Sequence, residues 1–342
     1  MAERSDRSGT LRRAASRQSY ASVPVVVAIA LFIVNVILQP SFASHGNWAT
    51  ELSEMCPFVL TSMAVAIPML SGNGNIDLSV GPLMGFMVVF IAADLVPAGI
   101  NEPELLLPLV ILCGLVAGAI NGVLVAYLRI PAIIATLGTY LFYSGIAAKV
   151  LPTPGGKVPS WVIHLNGFYG PIPGVLIVFA GVAVVWSLVA RTAFRRNLLA
   201  AGGEQRAAYT AGVNVARVRL WAFAFAGAFA ALAGLMFAGL LQDGDATVGP
   251  PYTISAITGV ALGGISLAGG RGGLFGAAIG GVVLYLIQSV LTASSVSVYE
   301  LNIANGLLLI VALALNGALA GLQKREDGRP FARLLALAGR SP

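Results

Sequence analysis

This sequence has little charge. Lys, Arg, Asp and Glu make up 10% of its 342 residues, where a soluble domain carries about 25%. A chain this poor in charge cannot cover a water-facing surface, and with 57% hydrophobic residues it reads as a membrane protein. Cysteine and histidine are scarcer still, with two of each. Cys56 and Cys113 fall in apolar stretches, away from any oxidising solvent, so no disulfide is expected. His45 and His164 stand alone in loops, too few for the ligand set a metal requires, and no metal site is expected.

Catalytic constellations are missing as well. "GGRGG" at 269–273 lacks the Lys and Ser or Thr that turn a glycine-rich loop into a phosphate-binding one. There are no paired carboxylates and no Ser/His/Asp set. The expectation is a chain with no catalytic residues and no cofactor of its own, any ATP and Mg being used by a separate ATPase.

What is present is a series of apolar runs, near 23–39, 53–71, 80–97, 105–128, 131–150, 172–190, 220–241, 253–268, 273–293 and 301–321. At about 20 residues per crossing they predict an all-α, polytopic transmembrane helical bundle of about ten spans. Glycine, 41 residues, suits such a bundle because small residues let membrane helices approach closely. Gly114, Gly118 and Gly122 place that property along one helix.

The net charge of +6 would suit nucleic acid if it were gathered on one surface, but it is dispersed to the ends and between spans. With the first tail inside, 18 of the 20 Lys and Arg fall on inner segments, as cytoplasmic loops prefer. Only Lys149 and Lys157 fall outside. The organisation expected is a basic cytoplasmic tail at 1–22, a transmembrane domain at 23–321 and a basic cytoplasmic tail at 322–342, in a bacterial plasma (inner) membrane. The first run reads as a retained anchor rather than a cleaved signal, because the polar region before it is long.

The longest inner connection, 191–219, is rich in charge. Within it "GGEQRAAYTAG" predicts a short helix, with Glu204 at its positive start and Gly212 as its terminator. Such a loop is either a solvated connector or a docking element. Asp77, in "GNGNIDLSVG", lies at a turn supplied by Gly72 and Gly74. Asp77 or Ser79 is expected to cap the helix that follows, since lipid cannot satisfy its first N–H groups. Polar residues inside the spans are mostly uncharged: Asn35, Asn121, Ser144, Gln288, Asn302 and Asn305, together with Thr136, Thr139, Tyr140 and Tyr143. Taken singly each suits an interhelical hydrogen bond. Together they fit neutral cargo better than ions, which usually need an ionisable group at depth. The run "TLGTYLFYSG" at 136–145 is the expected pore wall.

Three segments carry a family resemblance. "GNGNIDLSVG" is similar to the Gly-Gly-Ile-Asp-Leu-Ser-Val-Gly signature of the permeases of ribose-type (monosaccharide) ABC importers. "GGEQRAAYTAGVNVARVR" resembles their cytoplasmic coupling segment, and "GVALGGISLAGGRGGLFGAAIG" at 259–280 their late glycine-rich motif. The resemblance covers about residues 55–318. It implies a dimeric pore with a second permease subunit, identical or not, a pair of cytoplasmic ABC ATPases, and a periplasmic or extracellular solute-binding protein that delivers a monosaccharide or polyol. It places Asn75, Asp77, Ser79 and Gly81 in the signature, and Glu204, Ala207, Ala208 and Gly212 in or beside a coupling helix that enters a groove on the ATPase. Asn75 stands where the family usually has glycine, and Tyr209 where it often has arginine. Related permeases for branched-chain amino acids or nucleosides are the rival within transport, and a free-standing secondary transporter is the rival outside it.

Overall fold

The computed structural model describes residues 22–314, apart from Val298 and Asn302. The tail at 322–342 and the end of the last expected span, like all but one residue of the first tail, lie outside the described residues. Helices dominate: α1 (Ser22–Leu38), α2 (Trp48–Leu70), α3 (Val80–Val89), which continues as a π-helix through Phe90–Leu95, α4 (Pro103–Ala126), α5 (Ala132–Val150), α6 (Ser160–Leu165), α7 (Gly174–Arg191), α8 (Ala193–Gly203), α9 (Gln205–Thr210), α10 (Val215–Leu241), α11 (Pro251–Leu262) and α12 (Leu274–Ala293). The last is α13 (Tyr299–Ala314). The all-helical expectation meets one small departure, an antiparallel hairpin of β1 (Phe168–Tyr169) and β2 (Ile172–Pro173), turned at Gly170 with φ +60°.

Among the described residues, six helices are long and apolar enough to cross a membrane: α2 with the turn from His45, α4, α5, α7, α10 and α12. Four more, α1, α3 with its π-helical end, α11 and α13, are apolar but shorter. Each expected run thus coincides with an apolar helix, but not each with one of crossing length. The clearest correction is 253–268, where helix stops at Leu262: Gly263 ends it and Gly264 takes φ +72°, so "GGISLA" is apolar loop.

The bundle is built around α10, which packs on α4, α2 and α3, while α2 also packs on α11 and α12. From Cys56 to Leu70 every residue of α2 is buried. The antiparallel α4–α10 seam uses the spacing of Gly114, Gly118 and Gly122: a Cβ on Gly118 would lie 2.9 Å from the Phe223 carbonyl carbon, and one on Gly122 2.8 Å from the Leu220 Cα. Backbones this close leave no room for side chains, so dispersion contacts run the length of the seam. Cys56 and Cys113 are free.

Both α3 and α11 begin inside the bundle. After α10 the chain folds back along α3, from a close approach of Gly244 to Ala92 down to Gly249 against Gly81 and Gly85. The eleven residue steps from Gly81 to Ala92, through α3 and into its π-helical end, correspond to about 16 Å of helix rise, roughly half the hydrocarbon thickness. The N-terminus of α11 therefore meets that of α3 within the fold, and Thr253 Oγ1 donates to the Leu78 carbonyl at 3.2 Å.

Candidate translocation and coupling site

The segment entering α3 has no helical hydrogen bonds of its own, so its polar groups need partners elsewhere. Asp77, 2% exposed, accepts through Oδ1 from the Ser79 N–H at 2.9 Å and from Ser79 Oγ at 2.7 Å. Ser79 Oγ in turn accepts from Asn121 Nδ2 of α4 at 2.8 Å. Asn121 Oδ1 accepts from Thr139 Oγ1 of α5 at 2.8 Å. The Leu78 N–H donates to Thr136 Oγ1 at 3.1 Å. Asn75 Nδ2 donates to Ser71 Oγ at 2.8 Å, closing the turn on its other side. A continuous buried network thus ties the signature segment to α4, α5 and α11, and each hydroxyl that both donates and accepts polarises the next.

This geometry corrects the expected helix cap. Ser79 is the N-cap residue of α3, yet its side chain makes no capping bond to an N–H inside the helix. Asp77 instead satisfies the N–H of Ser79 itself, closing the turn two residues on in the manner of an Asx-turn. Gly81 is needed for a different reason: a Cβ there would sit 2.8 Å from the Thr253 nitrogen.

The three motif segments meet at one point, glycine on glycine. A Cβ on Gly72 would lie 2.7 Å from the Gly202 Cα, and one on Gly270 2.5 Å from the Gly203 Cα. A Cβ on Gly202 would be driven into the Leu70 carbonyl oxygen and to 2.6 Å from the Gly270 nitrogen. The Gly270 N–H donates to that same Leu70 carbonyl at 3.2 Å. Gly72, Gly269 and Gly270 all have positive φ, +75°, +90° and +71°, a conformation that glycine adopts without cost from a Cβ. The ends of α2 and α8 and the loop before α12 are thereby clasped backbone to backbone.

From this clasp α9 projects. Glu204 precedes it in extended conformation, and Gly212, at φ +83°, ends it: the Gly212 N–H donates to Tyr209 and the Val213 N–H to Ala208, the two bonds of a Schellman motif. Ala208 is the single buried residue of α9, and Glu204, Ala207 and Tyr209 face outward. α9 is thus a short helix whose outward surface is made by nearly all its side chains.

Comparison with known proteins bears on what that is. Residues 48–320 match the family described as branched-chain amino acid transport system / permease component. The chain belongs to this family. The permease is 33% identical over 318 residues to the autoinducer 2 import system permease protein LsrC of Escherichia coli K12, covering 91% of each chain. It is 37% identical over 286 residues to the protein of the same name from Salmonella typhimurium, covering 81% of each. No solved structure matches it. It is accordingly a multi-pass membrane translocation subunit of an ABC importer, whose ATP is hydrolysed by a separate subunit.

Not all the permease residues expected at the pore wall face open space. Thr136 and Tyr143 are buried: Thr136 donates to Ala132 at 2.8 Å, and Tyr143 stacks on Phe86 with ring centroids 5.9 Å apart. Thr139 and Tyr140 are half-buried. Other polar residues hold neighbouring helices together, Asn35 Nδ2 donating to the Leu286 carbonyl at 3.0 Å and Gln288 to Asn305 at 3.2 Å. Asn302 lies outside the described residues. Sequence reading missed Thr253, whose neighbouring Pro250–Pro251 pair was the available signal of a helix start.

Proposed function

We propose that this permease imports a neutral, hydroxyl-bearing small solute, a monosaccharide or polyol, into the cytoplasm. All ten apolar helices cross or enter the membrane, with both termini and α8–α9 on the cytoplasmic side. The proposed cytoplasmic ATPase pair receives α9 through Glu204, Ala207 and Tyr209, a second permease subunit completes the pore, and a solute-binding protein delivers cargo at the opposite face. Closure of the ATPases moves α9. Because Gly202 and Gly203 are clasped to Gly72 and Gly270, the movement passes to the signature segment, and through Leu78, Asp77 and Ser79 to α3, α4 and α5. Thr139 and Tyr140, at the edge of that network, border the solute path.

The observation that carries this reading is the glycine clasp, which leaves no compliant side chain between the proposed motor contact and the buried polar network. Support for a neutral cargo comes from that network, built from hydroxyls and amides. Asp77 is the one carboxylate in the buried class among the described residues, and its bonded oxygen is occupied by Ser79; Asp94 is exposed, and Glu51, in the first turn of α2, accepts from the Tyr285 hydroxyl at 2.6 Å. A gradient-driven carrier would need such a group free to exchange an ion. The relatives' names record import of autoinducer 2, which favours small-solute uptake over the amino-acid wording of the family description.

Uptake into membrane vesicles tests the proposal. Transport is expected to stop without ATP on the cytoplasmic face and to survive collapse of the ion gradients. Uptake that ignores ATP and stops with the gradient would overturn it.

A further inference from the structure

Beside α9 lies a cavity of about 680 Å³, lined on its polar side by Asn73, Asn75, Arg129, Gln205, Tyr209 and Arg219, with apolar walls from α4, α5 and α10. It has the size of a small-molecule site, and none of its lining residues is acidic. Arg219 is 9% exposed. Its Nη2 donates to Gln205 Oε1 at 2.8 Å, but its buried Nε has no partner, and among the described residues no carboxylate pairs with it. A guanidinium in this position carries both an uncompensated charge and an unsatisfied donor, each costly away from water. An anion in the cavity removes both costs.

We propose that the cavity binds a phosphate-bearing anion, with Arg219 and Arg129 as its cationic ligands and Asn73, Asn75 and Gln205 as neutral ones. A guanidinium matches phosphate with paired N–H groups. Two sources share this chemistry, an anionic lipid headgroup and a free phosphate. The surroundings favour the lipid. Tyr127 and Leu128, on the turn that carries Arg129, and Ile133 and Ile134, at the start of α5, are exposed apolar side chains on which acyl chains can lie, and basic pockets between membrane helices at the cytoplasmic side suit such headgroups. The cytoplasmic placement rests on the orientation proposed above; binding does not. An occupant would touch both Gln205, the first residue of α9, and Asn73 and Asn75 of the signature segment, so it would restrain the junction through which coupling is proposed to pass.

The test uses full-length permease, purified and stripped of lipid, with its unfolding temperature followed against short-chain phosphatidylglycerol, against inorganic phosphate, and against sodium chloride at matched ionic strength. A saturable rise with phosphatidylglycerol that salt does not reproduce is expected. Arg219→Lys and Arg129→Asn should each weaken the apparent affinity about tenfold or more, as loss of a charge-assisted bond implies, while Arg195→Gln, at an exposed arginine on α8, should leave it unchanged. Asn tolerates the left-handed backbone at position 129, where φ is +57°, so this variant tests the site even if the Arg219 variant fails to fold. Saturation by phosphatidylglycerol alone identifies a lipid site, and saturation by inorganic phosphate as well identifies a site for free phosphate. No rise with either, or equal weakening by Arg195→Gln, overturns the proposal.

Discussion

Asp77 is held by one residue, Ser79, and the Ser79 side chain is held in turn by Asn121, far along the chain. Replacing Asp77 with Asn keeps an oxygen that accepts from the Ser79 N–H and hydroxyl, so Asp77→Asn should unfold within a few degrees of wild type. Replacing Asn121 with Ala removes the group that joins Ser79 to Thr139 and leaves their polar atoms to find other partners inside the fold. The cost is about 1–3 kcal/mol, to be read as a lower midpoint of thermal unfolding in detergent. A midpoint for Asn121→Ala equal to that of wild type would show that the network adds nothing to stability. The turn at Asp77 was legible in the sequence because its glycines and carboxylate are local signals. Its partners were not, since Asn121 lies 42 positions from Ser79 and no rule of spacing joins them. Thr136 and Thr139 drew notice as polar residues in an apolar run, but sequence alone could not tell a hydroxyl facing a path from one facing Leu78.

At the scale of elements, the glycine clasp separates two neighbours that look interchangeable in sequence. A Cβ on Gly202 meets backbone on two sides, whereas one on Gly203 meets nothing within 4 Å. Gly202→Ala should therefore displace α8 and α9, leaving the permease inserted but reducing ATPase capture and uptake by about tenfold, given an overpacking cost of about 1–3 kcal/mol. Gly203→Ala should behave as wild type in the same pull-down and uptake assays, and similar losses for both would remove the clasp as the cause. Apolar runs revealed every long helix because burial in lipid demands them. They overstated α11 because an apolar run cannot by itself distinguish a buried helix from a buried loop. The π-helical end of α3 and the fold-back before α11 left no periodic signal, being set by contact with each other.

For the whole molecule, orientation was inferred from the distribution of Lys and Arg, a signal written into the loops rather than into any contact. Tyr209, 74% exposed on α9, offers a direct check. In a cysteine-free background, Tyr209→Cys should react with a membrane-impermeant maleimide in inside-out vesicles and stay unlabelled in intact spheroplasts. Labelling in intact spheroplasts would place α9 on the other face and leave a cytoplasmic motor nothing to grip.

The short third helix has a further consequence, for how the chain is made. Its entry segment finds acceptors and donors on α4 and α5 soon after synthesis, but the seam it shares with α10 has to wait for about 120 more residues, roughly 6–24 s at ~5–20 residues per second. During that interval part of α3 lacks its protein neighbour and is too short to span lipid comfortably. Ribosome stalling before residue 215 should therefore leave this helix more exposed to membrane proteases than in the finished chain.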